Sequence, residues 1–303
     1  MPNTMQLAEN YSKDFQESLF LGEKTGDLVN NDKFDFAGAK TVNVLKVDID
    51  EFKQYNRQTG YGTAGIVNAT YQSMTMNADI YQKYGVDHFD NEEEKMAAIS
   101  GVLAEASIKG KKLQDFYRLS KIAGETNVQT VAAANLTSGS AVVNALDVAE
   151  AGIVEYDSDL SDCNLYITPT CYTLLKREIG DKSGRFMLTT DEYNNKFEFY
   201  DGMKVVVVPQ TRMYVGVTLN ATTQIWEATA DNNGLVSPVN FMIVNRTAVV
   251  CPLKVDNIKI IDASNNPDGR EDIICPTIYF DAFVLDKRAK GVYVHKAVAR
   301  ALS

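Results

Sequence analysis

The residues that could do chemistry in this chain are few and badly spaced for it. Only two histidines, His88 and His295, could serve as the base for a serine or cysteine nucleophile, and such a nucleophile needs its base within hydrogen-bond reach. His88 stands in a polar loop before a helix cap and His295 in a terminal strand, so both read as structural histidines. Four cysteines, Cys163, Cys171, Cys251 and Cys275, lie far apart or in apolar, strand-like surroundings with no CxxC pair. That is the pattern of buried free thiols in a reducing compartment, not of a zinc site or a disulfide framework. Carboxylates are plentiful, and an acidic chain yields pairs by chance. "DNEEE", Asp90 to Glu94, is better explained as a helix start than as a glycosidase pair. Gly60, Gly62 and Gly65 lack the lysine and the strand-to-helix setting of a phosphate loop. "DASNNPDGRED", Asp262 to Asp272, is rich in oxygen ligands but lacks the terminal glutamate of a calcium loop and reads as a turn. The expectation is a protein that is not an enzyme, with no catalytic residue, cofactor or metal.

Composition narrows the class. With 303 residues, 45% of them hydrophobic, the chain can bury a substantial core. A formal charge of -10 and a pI near 4.8 exclude a phosphate-gripping surface, so any contact with DNA is loose and not sequence-specific. "MPNTMQLAENYSKDF" shows no basic-then-apolar leader, and no window has the apolar length of a membrane span, so a cytoplasmic, membrane-free protein is expected.

The elements that must position these residues are unusual. Residues 1 to about 35 carry a weak helical pattern (Leu7, Tyr11, Phe15, Leu19) and too few apolar positions for a core, which predicts an arm that lies on something else. "AKTVNVLKVDID" and "GIVNATYQSMTMNAD" alternate like strands around the polar tip "EFKQYNRQTGYGTAG", Glu51 to Gly65, and predict a long two-stranded hairpin, marginal by itself in water. Asp90 and Glu93 form a capping box before a stripe of Met96, Ile99, Leu103, Ala106, Gly110, Leu113 and Tyr117, with Lys109, Lys111, Lys112 and Arg118 toward its far end. This predicts a helix on the order of 40 Å long. A second helix is expected from about Ser140, with Val142, Leu146, Ala149 and Ile153 on one face. "DCNLYITPTCYTLLKREIG" reads as a strand running into a helix with Thr168 as cap, Pro169 at its first position and Gly180 as its stop. "YDGMKVVVVPQTRMYVG" and "VNFMIVNRTAVVCPLK" predict buried strands of a compact α/β layer, and "REDIICPTIYFDAFVLDKRAKGVYVHKAV" two strands around the turn "DKRAKG". Surface that an arm, a hairpin and a beam-like helix cannot bury within one chain is usually buried between chains.

This order of parts resembles that of tailed-phage major capsid proteins, the Hong Kong 97 fold. The sequence is similar to one group of these from phages of low-GC Gram-positive hosts, in "NTMQLAENY", "FAGAKTVNVLKV", "YDGMKVVVVPQTRMY", "NFMIVNRTAVVCPLKVDNIKIID" and, most specifically, "FDAFVLDKRAKGVYVHK". The segment 216–238 is a lobe loop whose length is expected to vary. The resemblance implies an α+β fold with an N-terminal arm at 1–35, an extended β-hairpin loop at 36–82, a peripheral domain with the spine helix at 83–131 and 253–303, and an axial domain at 132–252. It implies a subunit that self-assembles, through pentamers and hexamers, into the icosahedral shell around double-stranded DNA of a tailed bacteriophage of the Caudoviricetes. Such a homo-oligomer is built in the bacterial host cytoplasm and located in the virion capsid, with a portal protein and, where used, scaffold or decoration proteins as partners. In some relatives a loop lysine is linked covalently to a neighbour's asparagine. Lys53 lies in the corresponding loop, where lysines are common. An encapsulin-like nanocompartment shell is the alternative, separated by whether portal and terminase genes adjoin. A monomeric hydrolase using Cys171 or the acidic residues is the rival from another class, and inactivity on ester and glycoside substrates would remove it. Candidate intersubunit residues are Phe52, Tyr55, Arg57 and Tyr61 at the tip, Glu92, Glu93 and Glu94 at the spine-helix start, and Arg270, Lys287, Arg288 and Lys290 in the terminal β-hairpin by which the chain is expected to return, since aromatic and arginine side chains anchor contacts best. The tip glycines would let one sequence bend differently in pentamers and hexamers.

Overall fold

The computed structural model describes residues 21–30, 35–37, 40–55, 57–58, 63–87, 95–179, 186–190, 196–267, 269 and 271–301. The first sheet holds β1 (Asp35–Ala37), β2 (Thr41–Ile49) and β3 (Val67–Thr75). β2 and β3 pair antiparallel without a break from Thr41 opposite Thr75 to Ile49 opposite Val67, which is the expected long hairpin. The side-chain period of two assigns one face to the body. Val42, Met74 and Met76 are buried there against Val250 and Phe283.

Two short strands, β4 (Ala78–Tyr81) and β5 (Tyr84–Asp87), lead to α1 (Lys95–Gly124). Its 30 residues make a rod about 45 Å long at 1.5 Å per residue. The capping residues Asp90 and Glu93 and the start of the stripe at Met96 and Ile99 lie outside what is described for side chains. Ala106 and Tyr117 from the stripe are buried, and Gly110 allows close approach, since a Cβ there would stand 2.9 Å from Ile278 Cδ1. Toward its C-terminal end the helix becomes buried on more than one side, at Leu119, Ile122 and Ala123.

The chain continues through β6 (Gln129–Thr130), α2 (Gly139–Glu155), β7 (Cys163–Ile167) and α3 (Pro169–Ile179). Ser138 accepts from Ala141 N–H as the N-cap of α2, and Val142, Leu146, Ala149 and Ile153 are buried as their spacing requires. Thr168 precedes Pro169, and its carbonyl accepts from Tyr172 N–H, but its hydroxyl donates to the Asn240 carbonyl across the sheet. Gly180 lies outside the described residues. Next come β8 (Phe186–Thr190), β9 (Lys196–Tyr200) and β10 (Met203–Val207). The turn between β9 and β10 is Asp201 and Gly202, both at positive φ (44° and 88°), which suits the twist of the strands. The segment read as a variable lobe loop contains the paired strands β11 (Val217–Leu219) and β12 (Trp226–Ala228).

The remaining strands are β13 (Val239–Asn245), β14 (Val249–Val250), β15 (Leu253–Ile261), β16 (Glu271–Phe280), β17 (Phe283–Val284) and β18 (Val292–Lys296). A seven-stranded sheet runs β6-β18-β13-β7-β10-β9-β8 and carries core on both faces. On β13, Phe241 and Ile243 face α2 and α3, while Met242 and Val244 join Leu119, Ile122 and Leu28. The second large sheet has β15, β16 and β4 in order, with β5 also on β16. One expectation is corrected here. The strands flanking "DKRAKG" do not pair with each other: β16 belongs to the second sheet, β17 pairs β14, and β18 lies between β13 and β6. Residues 286–291 form a 3₁₀ helix that carries the chain from the β14-β17 pair to the seven-stranded sheet, in whose core Val292 and Val294 are buried. The stretch 253–303 therefore supplies strands to both sheets.

Candidate functional site

The hairpin has two chemically different faces. On the face toward the body, Lys46 is 3.8 Å from Asp286, and Lys287 pairs with Asp48 and donates to the Val47 carbonyl. Gln72 donates to the Val284 carbonyl (3.2 Å) and Asp286 Oδ1 (3.3 Å) and accepts from Asp286 N–H. The hydrogen bond from Lys287 lowers the Asp48 carboxyl below its ordinary range. On the opposite face Leu45, Val47 and Ile49 stand across from Tyr71, Ala69 and Val67. The large apolar side chains of this set are 43–68% exposed, an apolar surface left open among the described residues. At its end Asp50 accepts from Ile66 N–H (3.1 Å) and its own N–H donates to the Ile66 carbonyl, closing the ladder before the tip.

The structure separates the candidate residues into two places. Phe52, fully exposed, stands with exposed Tyr55 and Arg57 at the tip. Lys287, Arg288 and Lys290 lie in the 3₁₀ segment by the hairpin base, where Arg288 donates to the Thr247 carbonyl (3.0 Å) and the Lys290 carbonyl accepts from Gln129. The side chains of Lys287 and Arg288 are thus engaged within their own chain. Tyr61, Glu92, Glu93, Glu94 and Arg270 lie outside the described residues.

A buried charge cluster escaped the sequence reading, which placed Arg118 among basic residues matching a helix dipole. Arg118 and Asp115 are both fully buried. Asp115 accepts from Thr25 N–H (2.9 Å), the Thr25 hydroxyl (2.8 Å), Lys24 N–H (3.0 Å to Oδ2) and Arg212 Nη1 (2.9 Å). Arg118 Nη1 donates to Glu23 (3.1 Å) and to Thr25 Oγ1 (3.0 Å), and its guanidinium lies over the Phe280 ring. Arg212 also donates to the Gly22 carbonyl. Together these pin the segment before Leu28 onto α1. Nearer the end of α1, Lys121 pairs with Asp281, which also accepts from Asn77 and Ala282 N–H, so one carboxylate joins the helix to the end of the second large sheet where β4 begins and β16 stops. The available signal was the i, i+3 pair Asp115 and Arg118 set among Tyr117, Leu119 and Ile122, where buried charges persist only when partnered.

The reactive groups are held quiet. Burial pushes the Cys163 thiol up to about 11 and Cys251 to about 12, and raises Cys171 as well. His295 is buried, stacked on Phe241, with Nδ1 accepting from Asn240 Nδ2 (3.1 Å), and burial lowers its pKa. Among the described residues no group of three or more His, Cys, Asp or Glu is placed to hold a metal ion, and no helix is long and apolar enough to cross a membrane.

No known sequence family and no curated protein matches the chain. Solved structures do. The asymmetric unit of the bacteriophage PhiM1 mature capsid superposes with a TM-score of 0.64 at 14% identity, over 96% of this chain and 92% of that one. Microbacterium phage Oxtober96 gives 0.64 at 10% identity over 95% of each chain. The capsid structure of cyanophage P-SCSP1u gives 0.63 at 12% identity, over 96% and 93%. The chain has the fold of tailed-phage capsid proteins, the Hong Kong 97 type, with mixed helices and sheets as expected.

Proposed function

We propose that this chain is the major capsid protein of a tailed bacteriophage, a subunit that self-assembles through pentamers and hexamers into an icosahedral shell around double-stranded DNA. Its function is carried by contacts between copies rather than by an active site, and its hairpin lies across a neighbouring copy. The observation that carries this reading is the exposed apolar face of a hairpin that turns its polar face to its own body, in a chain whose fold likeness to phage capsid structures spans more than nine-tenths of both chains. A surface of that kind on a soluble subunit marks a site of association. The acidic charge is consistent with a wall along which packaged DNA slides. A portal protein and, where used, scaffold or decoration proteins would complete the particle in the host cytoplasm.

The test is sedimentation of the purified protein with negative-stain microscopy, with and without residues 51–65. Capsomers or shells formed by the full chain and lost on deletion support the reading. A monomer in both cases overturns it.

A further inference from the structure

β15 is the edge of the second large sheet: β16 lies on one side of it and, among the described residues, no strand lies on the other. Residues 254–260 are exposed throughout, the apolar Val255, Ile258 and Ile260 included. The register shows which backbone groups point outward. Ile258 stands opposite Pro276, which has no N–H to give and whose carbonyl accepts from Gln82 N–H on the far side of β16. In an antiparallel ladder, opposite residues either exchange both hydrogen bonds or turn their groups away from each other. Pro276 turns away, so Ile258 does too, and the alternation puts the N–H and C=O of Asp256 and Ile260 beside it on the free edge. A long edge with apolar side chains and open backbone groups is a template for a further strand. Within β15 no proline blocks pairing, and the one irregularity lies at its start, between Leu253 and Val255.

The sequence of this edge complements itself. When two copies run antiparallel about a two-fold axis at Ile258, every outward residue meets an outward residue, Ile258 with Ile258 and Asp256 with Ile260. Val255 then stands across from Ile261 and Lys254 across from Asp262, an apolar pair and an opposite-charge pair on each side of the axis. The neighbouring registers are worse. An axis at Lys259 sets Lys259 on Lys259 and Asp256 on Asp262, and an axis at Asn257 sets Val255 on Lys259 and Lys254 on Ile260. We propose that β15 pairs with β15 of a second copy, antiparallel and centred on Ile258. Contacts around a ring of subunits are heterologous, whereas a two-fold contact is isologous. This pairing therefore joins a subunit of one ring to a subunit of the next, and not neighbours within a ring. The proposal rests on the reading that the chain assembles with itself, and it names a surface that links the rings. One added strand buries little area, so the contact gains its strength from repetition over a shell.

The test mixes full-length chains carrying Asn257→Cys with full-length chains carrying Lys259→Cys under assembly conditions with a mild oxidant. Both carry Cys275→Ser, because Cys275 stands opposite Lys259 in the chain's own ladder. Positions 257 and 259 face each other across the proposed axis in a pair that exchanges no hydrogen bonds, the kind that brings side chains closest. The expected product is the 257–259 disulfide between chains, dominant over either symmetric disulfide in peptide mass spectrometry. A dominant 257–257 disulfide assigns the neighbouring register and overturns the one proposed. In parallel, Ile258→Pro removes an outward N–H without removing a ladder bond to β16, so it should leave rings intact and lower the yield of closed shells about tenfold or more, while Ile258→Thr keeps the N–H and assembles. The disulfide arm needs no proline and decides the matter if Ile258→Pro does not fold. Shells that form without a 257–259 disulfide, and equally well with Ile258→Pro, overturn this proposal and leave the shell reading standing. A p-benzoylphenylalanine probe at position 257 that captures any segment other than 254–262 of a second copy overturns it in the same way, by assigning the edge another occupant. A chain that stays monomeric under every condition overturns both.

Discussion

At the scale of single residues, burial separates charges that hold the fold from charges that do not. Asp115 is buried and accepts hydrogen bonds from three residues on two segments, so Asp115→Ala strands Arg212 and unties Thr25 and Lys24. Removing one partner of a buried pair costs about 3–5 kcal/mol, and chemical denaturation should show a loss of that size. Lys46 and Asp286 are partly exposed and 3.8 Å apart, so Lys46→Ala should cost less than about 1 kcal/mol in the same assay. His295 sets a pH dependence of definite sign. Burial lowers its pKa below the ordinary 6.5, and its neutral Nδ1 accepts from Asn240. Below 6.5 the unfolded chain takes up a proton that the folded chain resists. The stability due to the neutral ring is therefore fully present above 6.5 and is lost as pH falls through the folded value. Melting temperatures measured from pH 7.5 down to 5 should fall more steeply for the native chain than for His295→Gln, and equal slopes would show that the ring does not titrate there.

At the scale of elements, the hairpin shows what was legible and what was not. The two alternating runs were readable as strands, but "VNVLKVDI" contains a change of phase. Val42 and Val44 lie on one face, whereas Leu45, Val47 and Ile49 lie on the other. The break comes where the hairpin leaves its own core, and only the paired register reveals that the distal residues line up with Val67 and Tyr71 to make one apolar surface. Substitutions on the two sides should therefore behave oppositely. Val42→Ala empties a packed site and should cost about 1–2 kcal/mol by the usual cavity penalty. Leu45→Ser with Ile49→Ser should leave melting unchanged and abolish particles seen by sedimentation, because the folded subunit does not bury these side chains. In α2 and α3, by contrast, helix period and Pro169 were sufficient guides, since each packs one face on one sheet. The terminal strands defeated the same reasoning: a turn-like polar segment between two apolar runs does not say whether the runs pair with each other or with strands over a hundred residues earlier.

At the scale of the whole molecule, charge and apolar surface oppose each other in assembly, and salt distinguishes their weights. Each subunit carries a formal charge of -10, so bringing copies together accumulates like charge. The exposed hairpin face contributes a hydrophobic term that added salt does not screen. The Debye length shrinks from roughly 10 Å at 0.1 M to about 3 Å at 1 M salt, so repulsion between copies should weaken while the apolar contribution remains. Raising sodium chloride through this range should therefore lower the concentration at which particles first scatter light, and acidifying toward the pI near 4.8 should act in the same direction until His295 titration begins to cost stability. If particles instead dissolve as salt rises, attractive charge pairs outweigh both the net charge and the apolar face, and the hairpin would be a steering element rather than the main source of affinity.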